Sequence, residues 1–176
     1  MAAQLLFVIG ASGVGKTAAI EALSHRRLPD LTCYHFDSVG VPSAAEMVRG
    51  FGTPERWQEV TTHEWIARLH KEAHHLAVLE GQTRPSFIRR ARSESPVGIV
   101  LLDCEPSVRS RRLRVGRQQP DLDTADMQHW AAYLRGQADA LDLPIIDSTS
   151  LSTEDVADQL YALARSLSAW VTTTPV

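Results

Sequence analysis

Short apolar runs alternate with longer mixed stretches along the whole chain. Five runs, Leu5–Ile9, Thr32–Phe36, Leu76–Leu79, Gly98–Leu102 and Pro144–Ile146, are too short for helices, and polar or glycine turns follow most of them. Each reads as a buried strand. Helical patterns fill the gaps, over Thr17–Ser24, Thr53–His75, Pro106–Val115 and Thr124–Ala140. In the last of these, Met127, Trp130, Ala131, Leu134, Ala138 and Leu141 form an apolar stripe at helical spacing. A final helix opens at Ser152-Thr153-Glu154-Asp155, where Ser152 and Asp155 have the spacing of a capping box, and its stripe is Val156, Leu160, Leu163 and Leu167. Strand alternating with helix predicts an α/β fold with a parallel sheet. One compact domain over residues 1–176 is expected, with 171–176 frayed.

Composition changes this picture little. Hydrophobic residues make up 44% and charged residues 22%, and the net charge is −3. That balance excludes a globally basic surface, so neither nucleic acid nor a membrane is an expected partner. No apolar stretch has spanning length, and the N-terminal decapeptide lacks the basic region of a signal peptide. A cytoplasmic protein is expected, a monomer or a homodimer, with Cys33 and Cys104 reduced in the core. The distribution of charge is more informative. The chain has sixteen arginines and two lysines, Lys16 and Lys71, and nine arginines lie between Arg84 and Arg117. Arginine grips planar oxyanions in a bidentate way, so this cluster is a candidate phosphate site.

One octet carries a specific signal. Gly10-Ala11-Ser12-Gly13-Val14-Gly15-Lys16-Thr17 fits G-x-x-x-x-G-K-[ST] without departure, between a predicted strand and a predicted helix. Glycines let successive N–H groups curl around phosphate oxygens, and the helix that follows adds its positive end. Residues 10–17 together with Ala18 are therefore the expected nucleotide-binding segment, with Mg-ATP the expected ligand. Lys16 is placed on the β- and γ-phosphates, and the Thr17 hydroxyl on magnesium.

Ligands of a parallel sheet collect beyond the carboxyl ends of its strands. Asp37, Glu80 and Asp103 follow the second, third and fourth predicted strands, and arginines cluster after the third and fourth. A carboxylate such as Asp37 can accept a hydrogen bond from an attacking hydroxyl, as a general base or an orienter. Over Gly40–Val60, glycines and prolines at both ends suit a small closing flap, with Arg49, Arg56 and Trp57 as candidate acceptor contacts.

On these residues the chain resembles the P-loop nucleotide and small-molecule kinases. The segment VLEGQTRPSF is similar to the Asp-Gly-x-Pro-Arg segment of nucleoside monophosphate kinases, LLDCEPSVRSRRLRVGR to their fourth strand and arginine-bearing lid, and PIIDSTSLSTEDVADQL to their fifth strand and final helix. The Phe36-Asp37-Ser38 stretch resembles a segment of shikimate and gluconate kinases. The resemblance implies a three-layer P-loop fold with a five-stranded parallel sheet and helices on both faces. A flap over about 40–75 and a lid over about 109–121 would complete it. It further implies that Glu80 holds magnesium through water and that Arg84 contacts the acceptor. Arg112 and Arg117 would cover the transferring phosphate, with Arg111 or Arg114 as substitutes. Val39 replaces the second acid of the shikimate-kinase segment, which argues against a shikimate-like acceptor.

The expected function is transfer of the γ-phosphate of Mg-ATP to a hydroxyl or phosphate of a small molecule, with Lys16, Asp37, Arg112 and Arg117 as the catalytic set. The alternative is a regulatory ATPase without a small-molecule acceptor. Two further patterns are discounted. His70 and His74 share a helix face but lack a third ligand at metal spacing, and Asp37–Gly40 fits Asp-x-x-Gly without any guanine-reading Asn-Lys-x-Asp.

Overall fold

The computed structural model describes residues 4–72, 75–91 and 97–170, with side chains described to residue 167. Its strands are β1 (Gln4–Ile9), β2 (Leu31–His35), β3 (Leu76–Gly81), β4 (Val97–Asp103) and β5 (Ile145–Asp147). They form one sheet in the order β2-β3-β1-β4-β5, and every pairing is parallel. The expected five strands are all present, each within a few residues of its predicted ends.

The pleat sends alternate residues of β1 to opposite faces. Leu6 and Val8 meet Ala19, Ile20 and Leu23 of α1 (Lys16–His25) and Val156, Ala157, Leu160 and Ala164 of α7 (Thr153–Trp170). Leu5, Phe7 and Ile9 meet Trp65, Ile66 and Leu69 of α3 (Pro54–Glu72) and Leu134 and Ala138 of α6 (Ala125–Ala140). These two apolar layers make the three-layer architecture, and they bury Leu5–Ile9 of β1. Ser152 caps α7 as expected: its hydroxyl accepts from Asp155 N at 3.1 Å, and the Asp155 carboxylate accepts from Ser152 N at 3.2 Å.

Two short helices were not legible in the apolar pattern. α2 (Ala44–Phe51) begins in a complete capping box between Ser43 and Glu46, and α4 (Pro85–Arg90) opens with Pro85 at its first position. The predicted helix over Pro106–Val115 is corrected as well. Regular α5 (Pro106–Arg111) passes into a wider π-type turn over Arg112–Gly116. The segment expected as a flap divides in two. Gly40 and Gly52, both in the left-handed region at φ 87° and 84°, bracket α2. By contrast Thr61, Thr62, Trp65, Ile66 and Leu69 of α3 are buried and belong to the core. The predicted end of this helix at 73–74, with His74, the tail 171–176 and Arg92 of the arginine cluster lie outside the described residues.

Candidate active site

The loop between β1 and α1 sits at the carboxyl edge of the sheet, and its shape requires glycine. Gly13 and Gly15 hold φ of 86° and 100°. A Cβ on Gly13 would lie 2.8 Å from Leu113 Cγ and 3.2 Å from the Arg109 carbonyl oxygen, so the loop is pressed onto α5 and the turn that follows it. A Cβ on Gly10 would lie 2.5 Å from the Leu102 carbonyl oxygen on β4, a backbone atom that cannot step aside. Gly10→Ala is therefore expected to destabilise the fold by about 1–3 kcal/mol, the usual cost of overpacking. Urea unfolding checks this through a lower midpoint at unchanged slope.

Lys16 is buried, and its Nζ donates to the carbonyl oxygens of Gly10 at 2.9 Å and Ala11 at 3.1 Å. Burial lowers its pKa, the charges of Glu80 and Asp37 oppose that shift, and Arg117 adds to it. Thr17 Oγ1 donates to Glu80 Oε1 at 3.3 Å. The same carboxylate oxygen lies 2.9 Å from His35 Nδ1, because His35 and Glu80 are register partners on β2 and β3. Asp37 stands beside them on the short 3₁₀ turn Phe36–Val39. Crowding by surrounding atoms raises its carboxyl pKa, as does the negative charge of Glu80, while Lys16 and His35 pull it down. A hydroxyl and a carboxylate oxygen side by side are hard ligands suited to magnesium. Among the described residues no group of three or more His, Cys, Asp or Glu could hold a metal. A magnesium ion at Thr17 and Glu80 would therefore need phosphate or water oxygens to complete its shell.

The predicted lid arginines differ in what they touch. Arg112 donates from Nη1 to the Val14 carbonyl at 3.2 Å and to Ser148 Oγ at 2.9 Å, and from Nη2 to the Ser148 carbonyl at 2.7 Å. Ser148 Oγ also reaches the Val14 carbonyl, at 2.7 Å. Arg112 thus ties the glycine loop to the turn after β5. Arg114 is paired with Asp123, which also accepts from Ser110. Buried Arg109 donates to Gln128 Oε1 at 2.7 Å. Arg111 and Arg117 are exposed. Arg117 joins Arg112 and residues Gly13 to Ala19 around a cleft of about 410 Å³.

A second cavity of similar size, about 410 Å³, lies between α2, α3 and the start of α6. Trp57, Met127 and Trp130 give it apolar walls, and Gln58, Gln82 and Arg84 give it polar ones. Gln82 Nε2 donates to Ser12 Oγ of the glycine loop at 2.8 Å, and Gln58 Nε2 donates to the Gln82 carbonyl at 2.8 Å. Arg84 Nη1 donates to Gln58 Oε1 at 2.9 Å. A polar chain thereby joins this cavity to the glycine loop. Trp57 meets Phe36 edge to face at 6.1 Å, next to Asp37. Arg49 is exposed on the last turn of α2, outside this lining, and Arg56 pairs with Glu59 at 2.9 Å. His35, Gln58, Gln82 and Ser148 are the site residues missed in the sequence.

No family model and no curated protein sequence matches the chain. Solved structures do. A shikimate kinase from Acinetobacter baumannii in complex with shikimate superposes with a TM-score of 0.60 at 15% identity, over 92% of this chain and 93% of that one. A gluconokinase from Sinorhizobium meliloti 1021 gives 0.59 at 17% identity, over 97% and 98%. A thymidylate kinase from Candida albicans gives 0.58 at 13%, over 94% and 92%. The chain therefore has the fold of the P-loop kinases, which bears out the three-layer expectation. No helix among the described residues is long and apolar enough to cross a membrane.

Proposed function

We propose that the protein is a phosphotransferase that moves the γ-phosphate of Mg-ATP onto a hydroxyl of a small molecule held in the second cavity. The observation that carries this reading is the polar chain Ser12–Gln82–Gln58–Arg84, which couples a nucleotide-type loop to a separate cavity of ligand size. A hydrolase that activates only water has no use for such a cavity.

In this reading the backbone N–H groups of residues 13–17 cradle the phosphates, and Lys16 swings from the Gly10 and Ala11 carbonyls to the transferring group. Thr17 and, through water, Glu80 would hold magnesium, which would supply neutralisation of charge on the phosphate oxygens. Arg117 reaches the same oxygens from the lid, while Arg112 holds the loop in shape from behind. Asp37 accepts the proton of the acceptor hydroxyl. The bond from that oxygen to the γ-phosphorus forms as the bond from phosphorus to the bridging oxygen of ADP breaks. Closure of α2 about Gly40 and Gly52 excludes water from the reacting atoms.

The test is ADP release by the purified chain with magnesium and ATP, measured against a panel of hydroxylated metabolites and nucleoside monophosphates. At least one hydroxylated acceptor is expected to raise the rate well above the acceptor-free rate. A rate identical with and without every acceptor favours the regulatory ATPase instead.

A further inference from the structure

We propose that the acceptor is an alcohol with a flat apolar ring and no negative charge, and that amines are preferred over acids. This rests on the kinase reading and names its substrate class. Two observations carry it, the walls of the second cavity and its charge balance.

Trp57 and Trp130 both line the cavity, together with Met47 and Met127, so a ring has apolar surface to pack against there.

The charges are one arginine against two carboxylates. Arg84 faces Glu55 at 3.8 Å, and Asp126 on the first turn of α6 completes the charged lining. The single positive group is already engaged. The Arg84 guanidinium lies 5.2 Å above the Trp130 ring and 5.4 Å from that of Phe87, with Gln58 on its edge. Of the neighbouring arginines, Arg56 and Arg90 both pair with Glu59. A phosphate or carboxylate acceptor would meet two like charges and compete with Glu55 for the one arginine. An ammonium group meets the opposite situation. The carboxylate of Asp37 agrees with an alcohol acceptor, because a phosphate acceptor has no proton to lose at neutral pH that would call for a base.

The experiment uses three probes that share a phenyl ring and a hydroxyl. They are phenylalaninol, 3-phenyl-1-propanol and 3-phenyllactate, which carry a positive charge, none and a negative charge. Each is titrated into the full chain with MgADP present, read by tryptophan fluorescence and confirmed by calorimetry. MgADP is first titrated alone, so that failure of the nucleotide site is seen separately. Phenylalaninol is expected to bind about tenfold more tightly than 3-phenyllactate, a difference of about 1.4 kcal/mol, with the neutral alcohol between. In the double variant Glu55→Gln/Asp126→Asn the ratio should collapse to within about threefold while MgADP affinity is unchanged. The proposal is overturned if 3-phenyllactate binds as tightly as phenylalaninol, or if the double variant leaves the ratio intact. It is equally overturned if MgADP binds and none of the three probes does at millimolar concentration. Absence of MgADP binding would defeat the kinase reading itself, and this proposal with it.

Discussion

Lys16→Ala is expected to remove phosphoryl transfer almost completely. Lys16 is the one lysine in the glycine loop, and it is buried there. Two carbonyls of the loop hold its ammonium, which in the proposed complex exchanges them for phosphate oxygens. Loss of one preorganised charge-stabilising donor costs about 10²–10³ in rate, and a buried cation at the transferring group belongs at the upper end. Nucleotide affinity should fall as well, because the same ammonium contacts the ground-state phosphates. Stability should not fall, since burial disfavours the Lys16 charge. The check is single-turnover transfer together with MgADP titration and a thermal melt. Wild-type transfer in a folded Lys16→Ala protein would contradict the assignment.

Asp37→Asn has the second-largest expected effect, about 10² in the rate constant at saturating acceptor, the lower end of the range for a positioned general base. ATP affinity should change little. The wild-type rate should climb with pH through a carboxyl pKa above the ordinary aspartate value of about 3.9, because crowding and Glu80 both favour the protonated form. Stability runs the opposite way with pH. A carboxyl whose folded pKa is raised stabilises the fold fully below its unfolded pKa, and that contribution is lost as pH rises through the folded value. At neutral pH Asp37→Asn should therefore melt no lower than wild type, and its advantage should vanish in strong acid. A variant that keeps transfer within a few-fold of wild type would remove Asp37 from the base role.

The sheet and the loop were legible because both signals are local. A buried parallel strand is a short apolar run whichever strands flank it, and the glycine octet is contiguous. α2 was also written locally, in the Ser43–Glu46 capping box, but its apolar stripe is too short to register. His35 could not be found this way. Its partner Glu80 lies 45 residues away, and they meet only because β2 pairs with β3 in that register. Arg112 illustrates a different limit. Spacing placed it in the lid, yet whether it faces the phosphates or the loop depends on the π-type turn and on Ser148, 36 residues further along. The second cavity is the extreme case, since α2 gives it one residue and α3 and α6 a few each, and none carries a motif.

The central claim is that the γ-phosphate ends on a bound alcohol and not on water. Phosphorus-31 NMR of the purified chain with Mg-ATP and an acceptor hit from the ADP-release panel reads that destination directly. A phosphomonoester resonance is expected to grow in step with ADP and to be absent without acceptor or with Lys16→Ala. Growth of inorganic phosphate alone, at the same rate whether or not acceptor is present, would contradict it.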